Sequence, residues 1–315
     1  MLLLVAEPWR KDDGGGNTID NFFSGMDAEF AQVYCSAQIP INTCCRKYYQ
    51  ITDGMVIRNF FNRKPVGRIL SEQDYGRQKA EDEELLEQEK RERHMLDIFR
   101  NIRLQMFLLA KAVVWRYSEW KTPELERFIK EFDPDVIYAP CYAFPFMLEL
   151  TKYVKELTGK RVVSWSADDN YSLRQFSLSP FFWINRLWNR HCLKNTYPYY
   201  DTFFSISEDE IRELEPVAAK KMRLLRKGIN LGELPEVRQE AHTPIRMIYA
   251  GGVYINRWKT LREIGRVLKR INENEVKIRL DIYTQNTLNK RQRQALHDGR
   301  SIIAHTAVDG GQLKK

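Results

Sequence analysis

Short apolar runs recur along this chain, and a stretch with helical spacing follows most of them. Residues 2–6, 30–35, 136–139, 161–166, 203–207 and 222–225 read as strands. Residues 144–157 carry the helical period, and Ser207 can cap a helix over 208–214. Thr122, Pro123 and Glu124 form a strong helix start: a capping hydroxyl, a proline at the first helical position and an acidic first turn. That helix stops at Asp133-Pro134. Strands separated by helices pair in parallel, so the alternation restricts the chain to an α/β fold with a parallel sheet.

The pattern returns after a polar stretch. Residues 231–244 hold two prolines and no clear period, and read as a linker between a first domain (1–230) and a second (245–315). The second shows a strand at 245–250, a helix at 260–272, a strand at 277–283, a helix at 287–298 and a strand at 301–305. Two βα units and a third strand are fewer than a free-standing doubly wound domain usually has. The expectation is two Rossmann-like domains, the second incomplete.

Composition narrows the function classes. The chain has 315 residues, 43% hydrophobic and 29% charged, which suits a soluble globular protein with a sizeable core. A net charge of +8 favours polyanions, nucleotide phosphates or an anionic membrane face. No apolar run reaches membrane-spanning length, and the first residues lack a basic segment and a long enough apolar one for a signal peptide. The expected location is cytoplasmic. The five cysteines are irregularly spaced with no C-x-x-C pair, and the five histidines are scattered. Neither a zinc site nor a disulfide framework is expected.

Four strand ends carry polar or glycine-rich turns. Gly251 and Gly252 follow the strand at 245–250, and Arg257 and Lys259 sit in the basic loop before a helix with Leu261, Ile264, Leu268 and Ile271 on one face. Glycine lets backbone approach a ligand, and a helix start offers N–H groups and a positive dipole end, so the turn suits a diphosphate. The competing reading is an ordinary βα turn with surface cations. Gly14, Gly15 and Gly16 follow the first strand, with Asn17 or Thr18 as cap for a short helix containing Ile19, Phe22 and Phe23. They are either a close-approach loop or a flexible surface loop, and they do not fit G-x-G-x-x-G. Asp168 and Asp169 follow the strand at 161–166, and Ser207 ends that at 203–207. Ligands of parallel sheets bind at the carboxyl ends of strands, so these positions point to one cleft.

Two amphipathic stretches stand apart. Residues 79–93 are charge-dense and run into a helix through Tyr117 with Leu96, Phe99, Ile102, Met106, Leu109 and Val113 on one face; the charged half reads as a solvated face or as a membrane-surface or partner-binding one. Residues 179–191 mix aromatics with basic residues. They read either as a helix buried on the core with its cations snorkelling outward, or as a surface that docks near a membrane. No nucleic-acid motif accompanies them, so nucleic acid is not an expected partner.

In their order, several segments resemble one family. Gly14-Gly15-Gly16 after the first strand, the strand entry Asp133-Pro134-Asp135-Val136-Ile137, and Lys227-Gly228-Ile229-Asn230 ahead of the linker are three of them. The turn from Tyr249 to Gly252, with Arg257 and Lys259 behind it, is the fourth. Together they resemble the GT-B glycosyltransferases, especially the family 4-like group that handles nucleotide sugars, across nearly the whole chain. The resemblance implies a retaining transfer of sugar from a nucleotide-sugar donor to a glycan, polysaccharide or lipid-linked acceptor. Peripheral membrane contact would accompany a lipid-linked acceptor. Arg257 would pair with the donor diphosphate and stabilise the leaving group, with Lys259 assisting. Gly251 and Gly252 would shape that pocket. Gly14–Gly16 would line the acceptor side or approach the donor phosphates, and Asp168 and Asp169 would bind sugar hydroxyls or orient the acceptor.

Asp168 and Asp169 are adjacent and so do not form a D-x-D metal motif; no metal or cofactor is expected, the nucleotide sugar being a substrate. Two departures matter. The family's donor-domain segment, two glutamates across a glycine loop, has no counterpart before Lys315. Its first-domain histidine is replaced by the stretch Ala139-Pro140-Cys141-Tyr142-Ala143. No catalytic residue is therefore assigned. A GT-B-like protein that binds a nucleotide or a partner without turnover, and a nucleotide-sugar epimerase of the same architecture, are the alternatives.

Overall fold

The computed structural model describes residues 1–10, 14–70, 105–228, 243–254 and 256–306. The chain divides into two compact units, Met1–Asn230 and Leu231–Lys315. Both have α/β architecture. The charge-dense residues 79–93 and the expected linker up to residue 242 lie outside the described residues.

The first unit is built on eight strands: β1 (Leu2–Val5), β2 (Phe30–Tyr34), β3 (Cys45–Gln50), β4 (Arg68–Leu70), β5 (Val136–Tyr138), β6 (Arg161–Ser166), β7 (Thr202–Ser205) and β8 (Met222–Leu224). They lie in the order β4-β3-β2-β1-β5-β6-β7-β8. Every neighbouring pair is parallel except β3 with β4. β1 is buried on both faces, which is why it reads as an unbroken apolar run. Leu2 and Leu4 enter the core on one face with Val33 and Ile137, while Leu3 and Val5 pack on the other with Trp9, Phe23 and Phe30.

Helix α1 (Gly14–Phe23) covers the second of these faces through Ile19 and Phe23. The first is covered by α4 (Pro123–Phe132), α5 (Pro145–Thr158) and α7 (Glu208–Ala218), with α2 (Asp53–Asn62), α3 (Gln105–Tyr117) and α6 (Pro180–Thr196) also contributing. The Thr122 start behaves as its sequence indicates: the hydroxyl accepts from Leu125 N at 3.2 Å, Pro123 opens the helix, and Asp133 ends it in the left-handed region. The sheet grows from β1 through β2 in one direction and from β5 to β8 in the other. The topological switch point therefore falls between β1 and β5.

Residues 45–70 are the part the sequence pattern leaves unassigned. Arg46 and Lys47 interrupt the apolar pattern of β3 while its last three residues are buried. The signal for α2 is Thr52, whose hydroxyl accepts from Met55 N at 3.2 Å.

The second unit has β9 (Ile245–Ala250), β10 (Ile278–Thr284) and β11 (Ile302–Thr306), all parallel, in the order β11-β10-β9. Helices α8 (Arg257–Ile271) and α9 (Lys290–Leu296) pack on one face, where Leu261, Leu268, Leu280, Ile282, Leu296 and Ile302 form the core. Strand alternation puts Arg246, Ile248, Arg279, Asp281, Tyr283 and His305 on the opposite face.

Candidate functional site

The switch point of the first unit is organised by the chain leaving β1. Trp9 is fully buried. Its backbone N–H donates to Gln32 Oε1 at 3.0 Å, and its indole Nε1 donates to Asp20 Oδ1 of α1 at 3.0 Å. Those bonds fix the entry into α1. The three glycines are not a loop ahead of that helix: Gly14 is its first residue, so Gly14–Gly16 form its opening turn and neither Asn17 nor Thr18 caps it. Lys227 reaches this turn from the end of β8, with Nζ 3.4 Å from Thr18 Oγ1.

Across the switch point, the stretch after β5 is bolted to β6. Ala139 N donates to Val163 O and Cys141 N to Trp165 O, both at 2.9 Å. Burial pushes the Tyr142 phenol above its ordinary range; a backbone hydrogen bond at Ala6 opposes this, and the nearby Glu7 charge adds to it. The charge of Glu7, after β1, is thus felt by Tyr142, after β5, across the switch point. Neither stands out in the sequence, because only the strand order brings them together.

The ends of β6 and β7 are joined by Glu210. Ser166 Oγ donates to its Oε1 at 2.6 Å and Ser205 Oγ to its Oε2 at 2.5 Å. Ser207 is committed to the helix cap, its hydroxyl accepting from Glu210 N at 3.2 Å. Asp169 is engaged as well. Its carboxylate accepts from Ser172 N at 2.8 Å, from Ser172 Oγ, and from Arg186 Nη2 at 3.2 Å. Burial pushes that carboxyl up, but the Ser172 hydrogen bonds and the Arg186 charge outweigh it and hold it below the usual carboxylate range. Asp168 is exposed beside it.

Asp168, Asp169 and Ser207 line one cavity of about 150 Å³, together with Asp209, Glu210 and Glu213. Arg174 lines the same cavity and pairs with Glu213, so five carboxylates face one guanidinium; the net negative charge disfavours phosphate and favours a neutral, hydroxyl-bearing or cationic ligand. Among the described residues, no group of three or more His, Cys, Asp or Glu side chains is placed to hold a metal ion. The five cysteines are all unpaired, and Cys35, Cys45 and Cys141 are buried.

The Gly251–Arg257 turn belongs to the second unit. Gly251 N donates to Tyr283 O at 3.0 Å, extending the sheet by one bond. A Cβ at Gly252 would stand 2.2 Å from the half-buried Tyr254 ring, which would have to swing aside. Val253 N donates to Asn286 Oδ1 at 2.8 Å. Asn256 takes a left-handed conformation, and α8 starts at Arg257, three residues before the start that periodicity suggests. Arg257 and Lys259 therefore ride on the first helical turn rather than in a loop. The N–H groups of that turn are taken: Arg257 donates to Tyr254 O at 3.2 Å, Trp258 to Val253 O at 3.3 Å and Lys259 to Asn256 O at 2.8 Å. What the turn offers an anion is its two cationic side chains. The Arg257 guanidinium lies 5.2 Å from the centre of the Tyr254 ring, and neither cation has a carboxylate partner among the described residues.

No protein-family model matches the chain, and no curated protein sequence does. Similar solved structures include three. TarM aligns at 7% identity and a TM-score of 0.41, over 60% of this chain and 36% of its own. The apo form of the lipopolysaccharide outer core galactosyltransferase WaaB aligns at 13% identity and a TM-score of 0.47, over 99% of this chain and 70% of its own. S. aureus MnaA, solved with UDP, aligns at 12% identity and a TM-score of 0.38, over 60% of this chain and 52% of its own. The match thus spans about a third of TarM and half of MnaA.

Proposed function

We propose that the chain acts as a GT-B-type glycosyltransferase, moving a sugar with retention from a nucleotide-sugar donor to a glycan, polysaccharide or lipid-linked acceptor. The observation that carries this reading is the placement of Arg257 and Lys259. Among the described residues neither has a carboxylate partner, and both sit on the first turn of α8, after the Gly251-Gly252 turn at the carboxyl end of β9. Fixed cations there stabilise the diphosphate leaving group as the glycosidic bond breaks, with no metal needed for that task. In the first unit, Asp168 and Asp169 on their acidic cavity suit hydrogen bonds from sugar hydroxyls. Gly14–Gly16 and Ser207 complete the acceptor-side assignment through the opening turn of α1 and the cap of α7.

A second reading, nucleotide or partner binding without turnover, uses the same two cations, since the N–H groups of Gly251, Arg257, Trp258 and Lys259 are spent inside the unit and leave the side chains to hold an anion in either case. Calorimetric titration with UDP and with GDP, on the chain and on Arg257→Ala, tests the shared site. We expect binding of at least one nucleotide, weakened about tenfold or more by the substitution, a loss of roughly 1.4 kcal/mol. Absence of binding by the unsubstituted chain would overturn the transferase reading. Donor hydrolysis or transfer, measured on a panel of labelled nucleotide sugars, then separates turnover from binding.

A further inference from the structure

Phe144 departs from the local rules at the start of α5. It holds the N-cap position, where a short polar side chain usually accepts a backbone N–H, and it makes no side-chain cap hydrogen bond. Three other helices of the first unit, α2, α4 and α7, are capped by the hydroxyls of Thr52, Thr122 and Ser207. Phe144 is also 40% exposed. A position that forgoes a cap and keeps an aromatic ring partly in water is the kind of exception that functional sites make.

The ring belongs to a column of four near-parallel aromatics. Tyr142 lies 6.1 Å from Phe144 at 22°, Phe146 lies 5.7 Å from it at 15°, and Trp115 of α3 lies 4.2 Å from Phe146 at 19°. Near-parallel rings with centres 5.7 and 6.1 Å apart are offset, which leaves part of each face uncovered. The far end of the column is anchored. Trp115 Nε1 donates to Asp53 Oδ1 at 2.8 Å, and Lys111 Nζ pairs with Asp53 Oδ2 at 2.6 Å while standing 5.0 Å from the centre of the Phe146 ring. Trp115 and Phe146 are buried and Tyr142 is half-buried, so Phe144 is the one exposed ring of the four.

Its place in the fold adds a second surface. Tyr142 and Phe144 follow β5 on the carboxyl edge of the sheet, beside Ala6 and Glu7 after β1. Asn170 Nδ2 donates to Cys141 O at 2.8 Å, and Asp169 and Tyr171 on either side of Asn170 line the acidic cavity. Phe144 is three residues from Cys141, so it stands within about 10 Å of that contact. The charged groups at the column are Lys111, neutralised by Asp53, and Glu7, felt at Tyr142; neither attracts a phosphate. A pyranose ring fits both surfaces: its C–H face packs on the negative face of an aromatic ring, and the hydroxyls at its rim donate to carboxylates. An acyl chain would use the rings and leave the carboxylates unused.

We propose that Phe144, backed by Tyr142, is a stacking platform that holds an uncharged pyranose ring of the acceptor beside the cavity lined by Asp168, Asp169 and Glu210. This rests on the transferase reading and narrows its acceptor to one that presents a neutral sugar, not a phosphate or a lipid chain, at this point. Saturation-transfer NMR and calorimetry on the whole chain test it, with neutral gluco-, galacto- and manno-oligosaccharides as probes and oligogalacturonides as the anionic counterpart. We expect at least one neutral probe to bind, with transfer strongest at its ring C–H protons, and the oligogalacturonides to bind more weakly. Phe144→Ser removes the ring but supplies a capping hydroxyl, so its melting temperature should hold while sugar affinity falls about fivefold or more. Phe144→Leu, which keeps an apolar side chain, is the second variant and should lose affinity likewise, whereas Phe144→Trp should retain it. Phe61→Ser, at an exposed aromatic on α2, should bind like the unsubstituted protein. The proposal is overturned if no neutral probe binds, if oligogalacturonides bind as well or better, or if both ring-removing variants bind unchanged. UDP and GDP titrations of the same variants separate the two readings. Nucleotide binding without sugar binding sinks the platform alone, and sugar binding through Phe144 without nucleotide binding keeps the platform and sinks the transferase.

Discussion

Asp281 shows how individual residues are set by their surroundings in this protein. It is 1% exposed on the middle strand of the second unit, and three cationic or ring partners reach it. His305 Nε2 is 2.8 Å from Oδ1, and Arg279 Nε and Arg246 Nη2 lie 3.1 and 3.4 Å from Oδ2. Burial pushes the carboxyl up, but the His305 hydrogen bond and the two arginine charges outweigh it and hold it below the usual carboxylate range. A depressed folded-state pKa means stability that is present above the unfolded carboxylate value of roughly 3.9 and is lost as pH falls through the folded value. Asp281→Asn should therefore cost about 2–3 kcal/mol near neutral pH, with the gap to the unsubstituted protein closing in acid. Urea unfolding across that pH range checks it, and a gap that stayed constant would contradict the account. Residue chemistry of this kind was only partly legible beforehand. Asp168, Asp169 and Ser207 could be named because they follow strands directly. Glu210 could not, because its partners Ser166 and Ser205 lie on two different strands.

Element boundaries show the same division. α1 and α8 both begin earlier than periodicity indicates, at Gly14 and Arg257, because their first turns contribute little apolar pattern. That residues 179–191 form a helix could be read from the sequence, but not that Asn185 and Arg186 turn inward, which is decided by the segments they hold. β9 presents a further liability. Among the described residues it pairs only with β10, and Ile245, Met247 and Ile248 are exposed on it, Ile248 at 57%. A free apolar edge invites pairing with another strand, and a lysine placed there discourages it. Ile248→Lys should reduce concentration-dependent association in light scattering while changing stability by no more than about 0.5 kcal/mol. Unchanged association would show that β9 is not the adhesive edge.

At the scale of the whole molecule, the buried side chains fall into separate cores. Among the described residues, two clusters flank the sheet of the first unit, and a third, of seven buried apolar residues, serves the second. A small core buries a smaller share of its chain and is correspondingly marginal. Heating should therefore give two transitions, the lower from the second unit, and a fragment of residues 1–228 should retain only the upper one. A single cooperative transition that the fragment lacks would contradict this.

Spacing and turn chemistry act over a few residues, so the sequence by itself determined that strands alternate with helices, that Thr122 starts a helix, and that Gly251-Gly252 is followed by cations. Strand order is a matter of long-range pairing, and only the tertiary structure decided it. β1 pairs with β5 across more than a hundred residues, which creates the switch point and brings the charge of Glu7 to bear on Tyr142. The same applies to Glu210 between two strands and to the inward turn of Asn185 and Arg186 on α6. Each depends on partners distant in sequence, and no local pattern specifies which distant segment will supply them.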